Sequence, residues 1–457
     1  MERAAGLGRK SKGDDMARRV RFRVLDGVAV VTLDAPPVNA LSQDLRAGLW
    51  AAFRKVAQED HIKGAVLLGS GALFSAGADI SEFDTGPGQP DLSQLCALIE
   101  DLPKPVVVAA QGQALGGGFE LMLAAHYRLA APKARMGLPE VALGLVPGAG
   151  GTQRLPRLIG AEKAIQLMVS TNAVEADVAR RIGLLDGVVE GDLASGAVRF
   201  AQGLVAHGRA PRRTRDERAR MADAAAHFAA VAKARTALAD NPLHAPQRVI
   251  DCVEAAALLP FEAGLAFEAD AFDRCMAHPQ SVALRHVFVA ERRIDDALLE
   301  RHDGSFRTVD PMGKAAVARL QKAMRAAAQT LVAQGLSEDA VDGAMVSYGF
   351  RKGPFGGRHA GADGAQIARR IVAAMVAEGG ACVTQGAVQR PADVDVLAVH
   401  GLGFPRRMGG PMRAAQTDGL IALRRDMRDW AKDNDLWAVP EVLDTAIKQA
   451  SGFDGIG

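Results

Sequence analysis

Apolar and polar residues alternate near the start of the chain, and solid apolar runs follow. Val20-Arg21-Phe22-Arg23-Val24 alternates, Asp26-Gly27 comes next, and Val28-Ala29-Val30-Val31-Thr32-Leu33 is a second β-prone run. Asp-Gly between two such runs predicts a tight hairpin, because both residues tolerate a positive φ. Apolar residues over 43–57 recur at helical spacing. Ala65-Val66-Leu67-Leu68 and Pro105-Val106-Val107-Val108-Ala109-Ala110 are short and almost wholly apolar, as strands covered on both faces are. Helical stretches lie between and after them, so residues 20–190 read as alternating β and α.

The pattern shifts near residue 200. From there to about 300 the chain is Ala-rich, charged and poor in strand formers, which predicts helices. Arg212-Arg213-Thr214-Arg215-Asp216-Glu217-Arg218 is a charge run that reads as the solvated start of one of them. The last 150 residues hold an approximate repeat. Gln334-Gly335, Val341-Asp342, Gly349-Phe350 and Gly353-Pro354-Phe355 recur in order as Gln385-Gly386, Val394-Asp395, Gly403-Phe404 and Gly410-Pro411-Met412. An apolar-periodic helix precedes each copy, which predicts two helical modules from one duplication.

Composition narrows the function classes. The 457 residues suit about three domains of roughly 150 residues each. Apolar residues make up 49% and charged residues 24%, with a formal net charge of +2, so nothing drives the chain globally towards nucleic acid or a membrane surface. Cys96, Cys252, Cys275 and Cys382 form no C-x-x-C pair and sit near no ligand-spaced His, so reduced buried thiols are expected and no metal site. No apolar run reaches the length of a membrane span. Residues 1–17 read as a disordered tail without the apolar centre of a secretory signal, and Met16 is a second candidate start. The final Gly-Phe-Asp-Gly-Ile-Gly is not a peroxisomal address, and a cytoplasmic location follows by default.

The candidate chemistry lies in three segments. Gln111-Gly112-Gln113-Ala114-Leu115 leads to Gly116-Gly117-Gly118 and a helix beginning Phe119-Glu120-Leu121. Glycines at a strand-to-helix turn let a ligand approach the backbone, and the first N–H groups of a helix point outwards unpaired. A second glycine turn is Phe74-Ser75-Ala76-Gly77-Ala78-Asp79-Ile80. In the third, Leu138-Pro139-Glu140 precedes a glycine loop running through Gly148-Ala149-Gly150-Gly151-Thr152-Gln153-Arg154.

Together these strings, in this order and spacing over about residues 18–200, resemble the signature of the enoyl-CoA hydratase/isomerase, or crotonase, superfamily. Pro36-Pro37-Val38-Asn39-Ala40-Leu41-Ser42 resembles the N-terminal part of multifunctional fatty-acid oxidation proteins. The resemblance implies an α/β spiral of repeated β-β-α units. It implies that the N–H groups of Ala78 and Gly117 form an oxyanion hole, and that Glu120 and Glu140 are the catalytic pair. Gly148 would lie near the reacting water, and backbone around Ser75, Ala76 and Ala78 would face the adenine of CoA. The chemistry needs such groups. As water adds to an enoyl thioester, charge builds on the carbonyl oxygen, and each preorganised donor is worth about 3–4 kcal/mol there. One carboxylate must take a proton from water and one carboxylic acid must deliver a proton to C2, steps worth about 10² to 10⁴-fold each. Glu120 is assigned to the water and Glu140 to C2.

His244-Ala245-Pro246-Gln247, Leu259-Pro260-Phe261-Glu262-Ala263-Gly264-Leu265, Glu268 and Phe288-Val289-Ala290-Glu291-Arg292-Arg293 resemble the linker that follows the hydratase part of the multifunctional proteins. Residues 311–457, best at Arg390-Pro391-Ala392-Asp393-Val394-Asp395 and Gly401-Leu402-Gly403-Phe404-Pro405, resemble the C-terminal half of 3-hydroxyacyl-CoA dehydrogenase. The expected organisation is a crotonase core at 18–200, a helical linker at 201–305 completing the site, and all-α modules at 306–360 and 361–457. Those helical modules are expected to cover apolar surface beside the linker and the core. A Rossmann unit needs a strand, G-x-G-x-x-G, a helix and a later acidic residue. Gly69-Ser70-Gly71 has Phe74 at the third glycine position and Gly148-Ala149-Gly150 has Gln153, so no NAD site and no cofactor are expected. The expected activity is hydration of trans-2-enoyl-CoA, with Δ3-Δ2-enoyl-CoA isomerisation open at the same site. The alternatives are isomerisation alone and a non-catalytic partner subunit. The expected partners are an acyl-CoA thioester, further copies in a monomer or small homo-oligomer, and a thiolase or dehydrogenase.

Overall fold

Strand formation follows the apolar runs. The computed structural model describes residues 19–83, 86, 88–302, 305–361 and 364–456, so the tail at 1–17 and Met16 lie outside the described residues. β1 (Val20–Leu25) pairs antiparallel with β2 (Val28–Leu33), in a register that joins Val20 to Leu33 and Leu25 to Val28. Asp26 and Gly27 have φ of 46° and 79°, the two left-handed residues that this tight turn needs. The further strands are β3 (Gly64–Gly69), β4 (Val106–Ala110), β5 (Gln113–Leu115), β6 (Tyr127–Ala130), β7 (Arg135–Gly137), β8 (Val174–Glu175) and β9 (Gly187–Val188). The large sheet runs β1-β2-β3-β4-β6-β9 and is parallel from β2 onwards. A small sheet runs β5-β7-β8. Consecutive strands from β4 to β7 alternate between the sheets, which is how a β-β-α repeat winds into a spiral.

The helices of this part are α1 (Gln43–Gln58), α2 (Leu92–Glu100), α3 (Gly117–Ala124), α4 (Gly151–Ile159), α5 (Ala161–Ser170), α6 (Ala176–Arg181), α7 (Leu193–Ala206), α8 (Ala224–Ala237), α9 (Ala245–Leu258) and α10 (Phe261–Ala277). Val28, Val30, Val66, Leu68, Val107, Ala109 and Leu129 share one sheet face and pack on Ala197, Val198 and Ala201 of α7. Alternate residues such as Val31, Leu67 and Val108 are fully buried on the other face. Each such side chain contributes about 1.5–3 kcal/mol by leaving water. This is the reason the strands read as unbroken apolar runs.

The chain divides into two compact units between Cys275 and Met276. Residues 201–305, expected to form one linker, are shared between them. α8 packs on α5, and α9 packs on α4 and α5, so these helices belong with the sheets. The charge run at 212–218 is not a solvated helix start. Its centre is a single 3-10 turn, Thr214–Asp216, with Thr214 buried. Arg212 pairs with Asp186 at 2.5 Å, and the Arg215 Nε donates to the fully buried Glu100 at 3.0 Å. The buried Glu100 draws Arg215 inwards, while Arg212 and Arg213 stay exposed.

The second unit holds α11 (Pro279–Ala290), a hairpin of β10 (Leu299–His302) and β11 (Ser305–Val309), and then α12 (Pro311–Ala333), α13 (Glu338–Tyr348), α14 (Ala365–Thr384), α15 (Pro391–Leu402), α16 (Pro411–Asp418), α17 (Leu420–Trp430) and α18 (Glu441–Lys448). Among the described residues it is helical apart from that hairpin and the turns between helices. The two repeat copies are not separate modules. Leu320, Leu331, Val341 and Met345 of the first share one core with Ile371, Val376, Leu397 and Met412 of the second. Corresponding anchors nevertheless do the same work. Asp342 accepts the Phe355 N–H at 2.8 Å, and Asp395 accepts the Met412 N–H at 2.7 Å. Gly349 follows α13 and Gly403 follows α15, both with positive φ, and Phe350 and Phe404 meet edge to face at 5.2 Å.

Candidate active site

The site is assembled by backbone turns that leave N–H groups unpaired. Asn39 comes first. Its Nδ2 donates to the carbonyls of Ser70, Leu73 and Phe74 at 3.0, 3.1 and 3.0 Å, and its Oδ1 accepts the Ala35 N–H at 2.9 Å. This pins the loop after β3 to the loop after β2. Ser75 then forms a parallel bridge to Ala114. Ser75 is tied into the fold by each of its polar groups. It is fully buried; its N–H donates to the Gln113 carbonyl and its carbonyl accepts from Leu115, while its Oγ donates to the Asn39 carbonyl at 2.8 Å and accepts the Gly77 N–H at 3.1 Å. Ala76 and Ala78 are exposed.

The next turn faces Ala78. β4 and β5 lead to Gly116, which has φ 52° and ψ −128° and caps α3. A methyl group added at Gly117 would lie 3.5 Å from the Ala78 nitrogen, and one added at Gly77 would lie 3.4 Å from the Gly117 nitrogen. Among the described residues neither the Ala78 nor the Gly117 N–H donates to a protein acceptor. Two free donors thus stand side by side, as an oxyanion requires.

Two carboxyl groups adjoin them. Glu120, on the first turn of α3 and only 3% exposed, accepts the Ala149 and Gly151 N–H groups on one oxygen at 2.8 and 2.9 Å. Glu140 opens a 3-10 turn, Glu140–Leu143, and its Oε1 would lie 3.1 Å from a methyl group on Gly116. Its Oε2 is buried and has no partner among the described residues. Gly148 lies under Phe272 of α10, where an added methyl group would come within 2.8 Å of the ring, and its N–H is unpaired among the described residues.

Burial drives the electrostatics. It raises the Glu120 carboxyl above its ordinary value, against the pull of the Ala149 and Gly151 N–H groups. It raises Glu140 much further, and the charge on Glu120 adds to the effect. Two acids so placed oppose each other's ionisation, and they titrate as a pair. The Ala149 and Gly151 N–H groups favour charge on Glu120, and the stronger rise favours the proton on Glu140. The arrangement suits a base and an acid facing one substrate.

Two supports escaped sequence reasoning. Glu268 of α10 accepts the Gly150 N–H at 2.5 Å and the Thr152 N–H at 2.8 Å. Glu100 of α2 is fully buried against Arg154, whose Nη2 donates to it at 2.8 Å while Nη1 donates to the Ala149 carbonyl at 2.8 Å. Both acids lie on the buried stripes of their helices, with Phe261, Gly264, Ala271 and Cys275 in one and Leu95, Cys96 and Ile99 in the other. A carboxylate on an apolar stripe is the signal that finds them. Among the described residues no group of three or more His, Cys, Asp or Glu is placed to hold a metal ion, and no helix is long and apolar enough to cross a membrane.

The model of the family described as Enoyl-CoA hydratase/isomerase matches residues 23–253, which include both glycine turns, Glu120, Glu140 and the loop at 148–154 but not Glu268 or Phe272. The chain belongs to that family. Within the enoyl-CoA hydratase/isomerase family it is 38% identical over 282 residues to the peroxisomal fatty acid beta-oxidation multifunctional protein AIM1 of Arabidopsis thaliana, covering 58% of this chain and 39% of that protein. It is 36% identical over 274 residues to the peroxisomal bifunctional enzyme of Homo sapiens, covering 59% and 38%. The match thus spans about two fifths of the length of these relatives. An enoyl-CoA hydratase structure from Bacillus halodurans is 22% identical with a TM-score of 0.44, covering 58% of this chain and 98% of that one.

Proposed function

We propose that this chain adds water across the C2–C3 double bond of a trans-2-enoyl-CoA. The observation that carries the reading is the pairing of two buried glutamates, one held by two N–H groups and one with an unpartnered oxygen, beside two unpaired N–H donors. Glu120 takes a proton from water as the oxygen bonds to C3. The thioester carbonyl becomes an enolate oxygen held by the Ala78 and Gly117 N–H groups. Glu140 delivers its proton to C2, and the pair ends with its one shared charge transferred from Glu120 to Glu140. Exchange with solvent resets it. Backbone around Ser75, Ala76 and Ala78 is the proposed contact for the CoA adenine, and the Gly148 N–H the proposed contact for water.

Isomerisation at the same site is a second reading, favoured by the unpartnered Glu140 Oε2. A single carboxyl in that position serves to carry a proton between carbons of a bound enoyl chain. We propose no hydride transfer by this chain, which carries no G-x-G-x-x-G turn between a strand and a helix. The proposed setting is the cytoplasm, with a thiolase or dehydrogenase as partner, and cell fractionation with a pull-down tests both. The deciding experiment is turnover of short, medium and long trans-2-enoyl-CoAs, followed by loss of the ultraviolet absorbance of the conjugated thioester, with NAD added in parallel. No absorbance change with any chain length overturns the reading.

A further inference from the structure

α10 presents one face to the glycine loop in a fixed order. Gly264, Glu268 and Phe272 are four residues apart and therefore share a helix face. Phe272 covers Gly148, Glu268 takes the Gly150 and Thr152 N–H groups, and Gly264 lies against the Gln153 side chain, where a methyl group would come within 2.3 Å of its Oε1. The Thr152 hydroxyl also donates to Glu268, at 2.5 Å, and the Gln153 Nε2 donates to that hydroxyl at 2.9 Å. The loop thus runs along the helix residue by residue.

The N–H groups of this loop are divided by parity. Ala149 and Gly151 donate to Glu120, while Gly150 and Thr152 donate to Glu268. Successive N–H groups in such a turn point different ways, so holding one set aims the other. We propose that Glu268 is a positioning residue for Glu120: by gripping the Gly150 and Thr152 N–H groups, it turns those of Ala149 and Gly151 onto the carboxylate that faces the reacting water. This rests on the reading of Glu120 as the base. Gly151 has no room for a side chain here, since a methyl group would lie 2.9 Å from the Glu120 Oε1. Neither carboxylate can therefore drift without dragging the loop and the other.

Charge supports the geometry. Burial, and after it the charge of Glu120, push the Glu268 carboxyl up to about 8, against the pull of Thr152 and the Gly150 N–H. The other titratable groups acting in this cluster are Glu140, Arg154 and the thiols of Cys96 and Cys252, which burial keeps protonated. Below about pH 8 the protonated form of Glu268 is favoured, which keeps a second charge away from Glu120. Above it a second charge faces Glu120 through the same loop.

The test uses the full chain and the variants Glu268→Ala and Glu268→Gln. Glu268→Ala should lower kcat on a trans-2-enoyl-CoA by about 10²-fold, the scale of a misplaced group, with KM little changed. Glu268→Gln keeps one acceptor and the shape, so it should retain part of the rate and lose the change in rate near pH 8. The second readout needs no substrate. In protein labelled with ¹⁵N-glycine, the Gly151 amide should titrate with Glu120 and the Gly150 amide with Glu268, and Glu268→Gln should move the Gly151 inflection. A merely structural role lowers the melting temperature but leaves that inflection and kcat in place, and this result overturns the proposal. Inactive wild-type protein would instead overturn the proposed reaction, and the Gly151 inflection would still decide whether Glu268 governs Glu120.

Discussion

A methyl group on Gly116 would lie 3.1 Å from the Glu140 Oε1. Gly116 also has φ 52° and ψ −128°, a conformation that a side chain strains. Gly116→Ala should therefore cost about 1–3 kcal/mol in stability and displace the Glu140 carboxyl. Denaturant melts and turnover on one enoyl-CoA check both effects. Full activity in a destabilised variant would mean that Glu140 is not held where this turn holds it.

In the proposed reaction Glu120 and Glu140 act on one water and one substrate, so their losses should not add. Glu120→Gln and Glu140→Gln should each reduce kcat by about 10² to 10⁴-fold. The double variant should be little worse than the weaker single one. Initial rates of the three variants decide the matter, and fully multiplicative losses would separate the two residues.

Glu100 and Arg154 form a pair whose side chains are 0% and 1% exposed. Glu100→Ala strands the guanidinium and should cost about 3–5 kcal/mol. Burial alone would raise the Glu100 carboxyl, but Arg154, by charge and hydrogen bonds, and then Arg215 hold it below its ordinary value. Its contribution to stability is present above the unfolded carboxylate range and is lost as pH falls through the lowered value. Urea melts at falling pH should show this acid-side loss in the wild type and not in Glu100→Ala.

Glu268 works with the opposite sign. Its folded value of about 8 lies above the ordinary 4.5. Between these limits the folded state keeps a proton that the unfolded chain has released. Stability then falls as pH rises, by up to about 1.4 kcal/mol per pH unit from this one group. Glu268→Gln should flatten the slope of melting temperature against pH over that window. An unchanged slope would show that Glu268 stays ionised in the fold.

What the sequence made legible were features that repeat or run locally. The first hairpin, the buried strands and the glycine turn before Glu120 are written in consecutive residues. So is the second-unit repeat, whose Asp342 and Asp395 bond to matching N–H groups. Pairings across the fold were less visible. Arg215 reads as solvated because its neighbours are charged, yet its acceptor, Glu100, is 115 residues away. Glu268 stood in a recognised string without a role, because its partners lie 116 and 118 residues upstream. The Ser75 hydroxyl, too, bonds a residue far from it in sequence, the Asn39 carbonyl.

The parity of the glycine loop also has a consequence for synthesis. The Gly150 N–H finds its acceptor only after 118 further residues have been added. At about 5–20 residues per second, roughly 6–24 s pass before a nascent chain has even the material to lock the loop. Ribosome-bound chains that stop before α10 lack the acceptor for the Gly150 and Thr152 N–H groups. Maturation of the centre is therefore a late event in translation, timed by a helix far downstream of the residues that it sets.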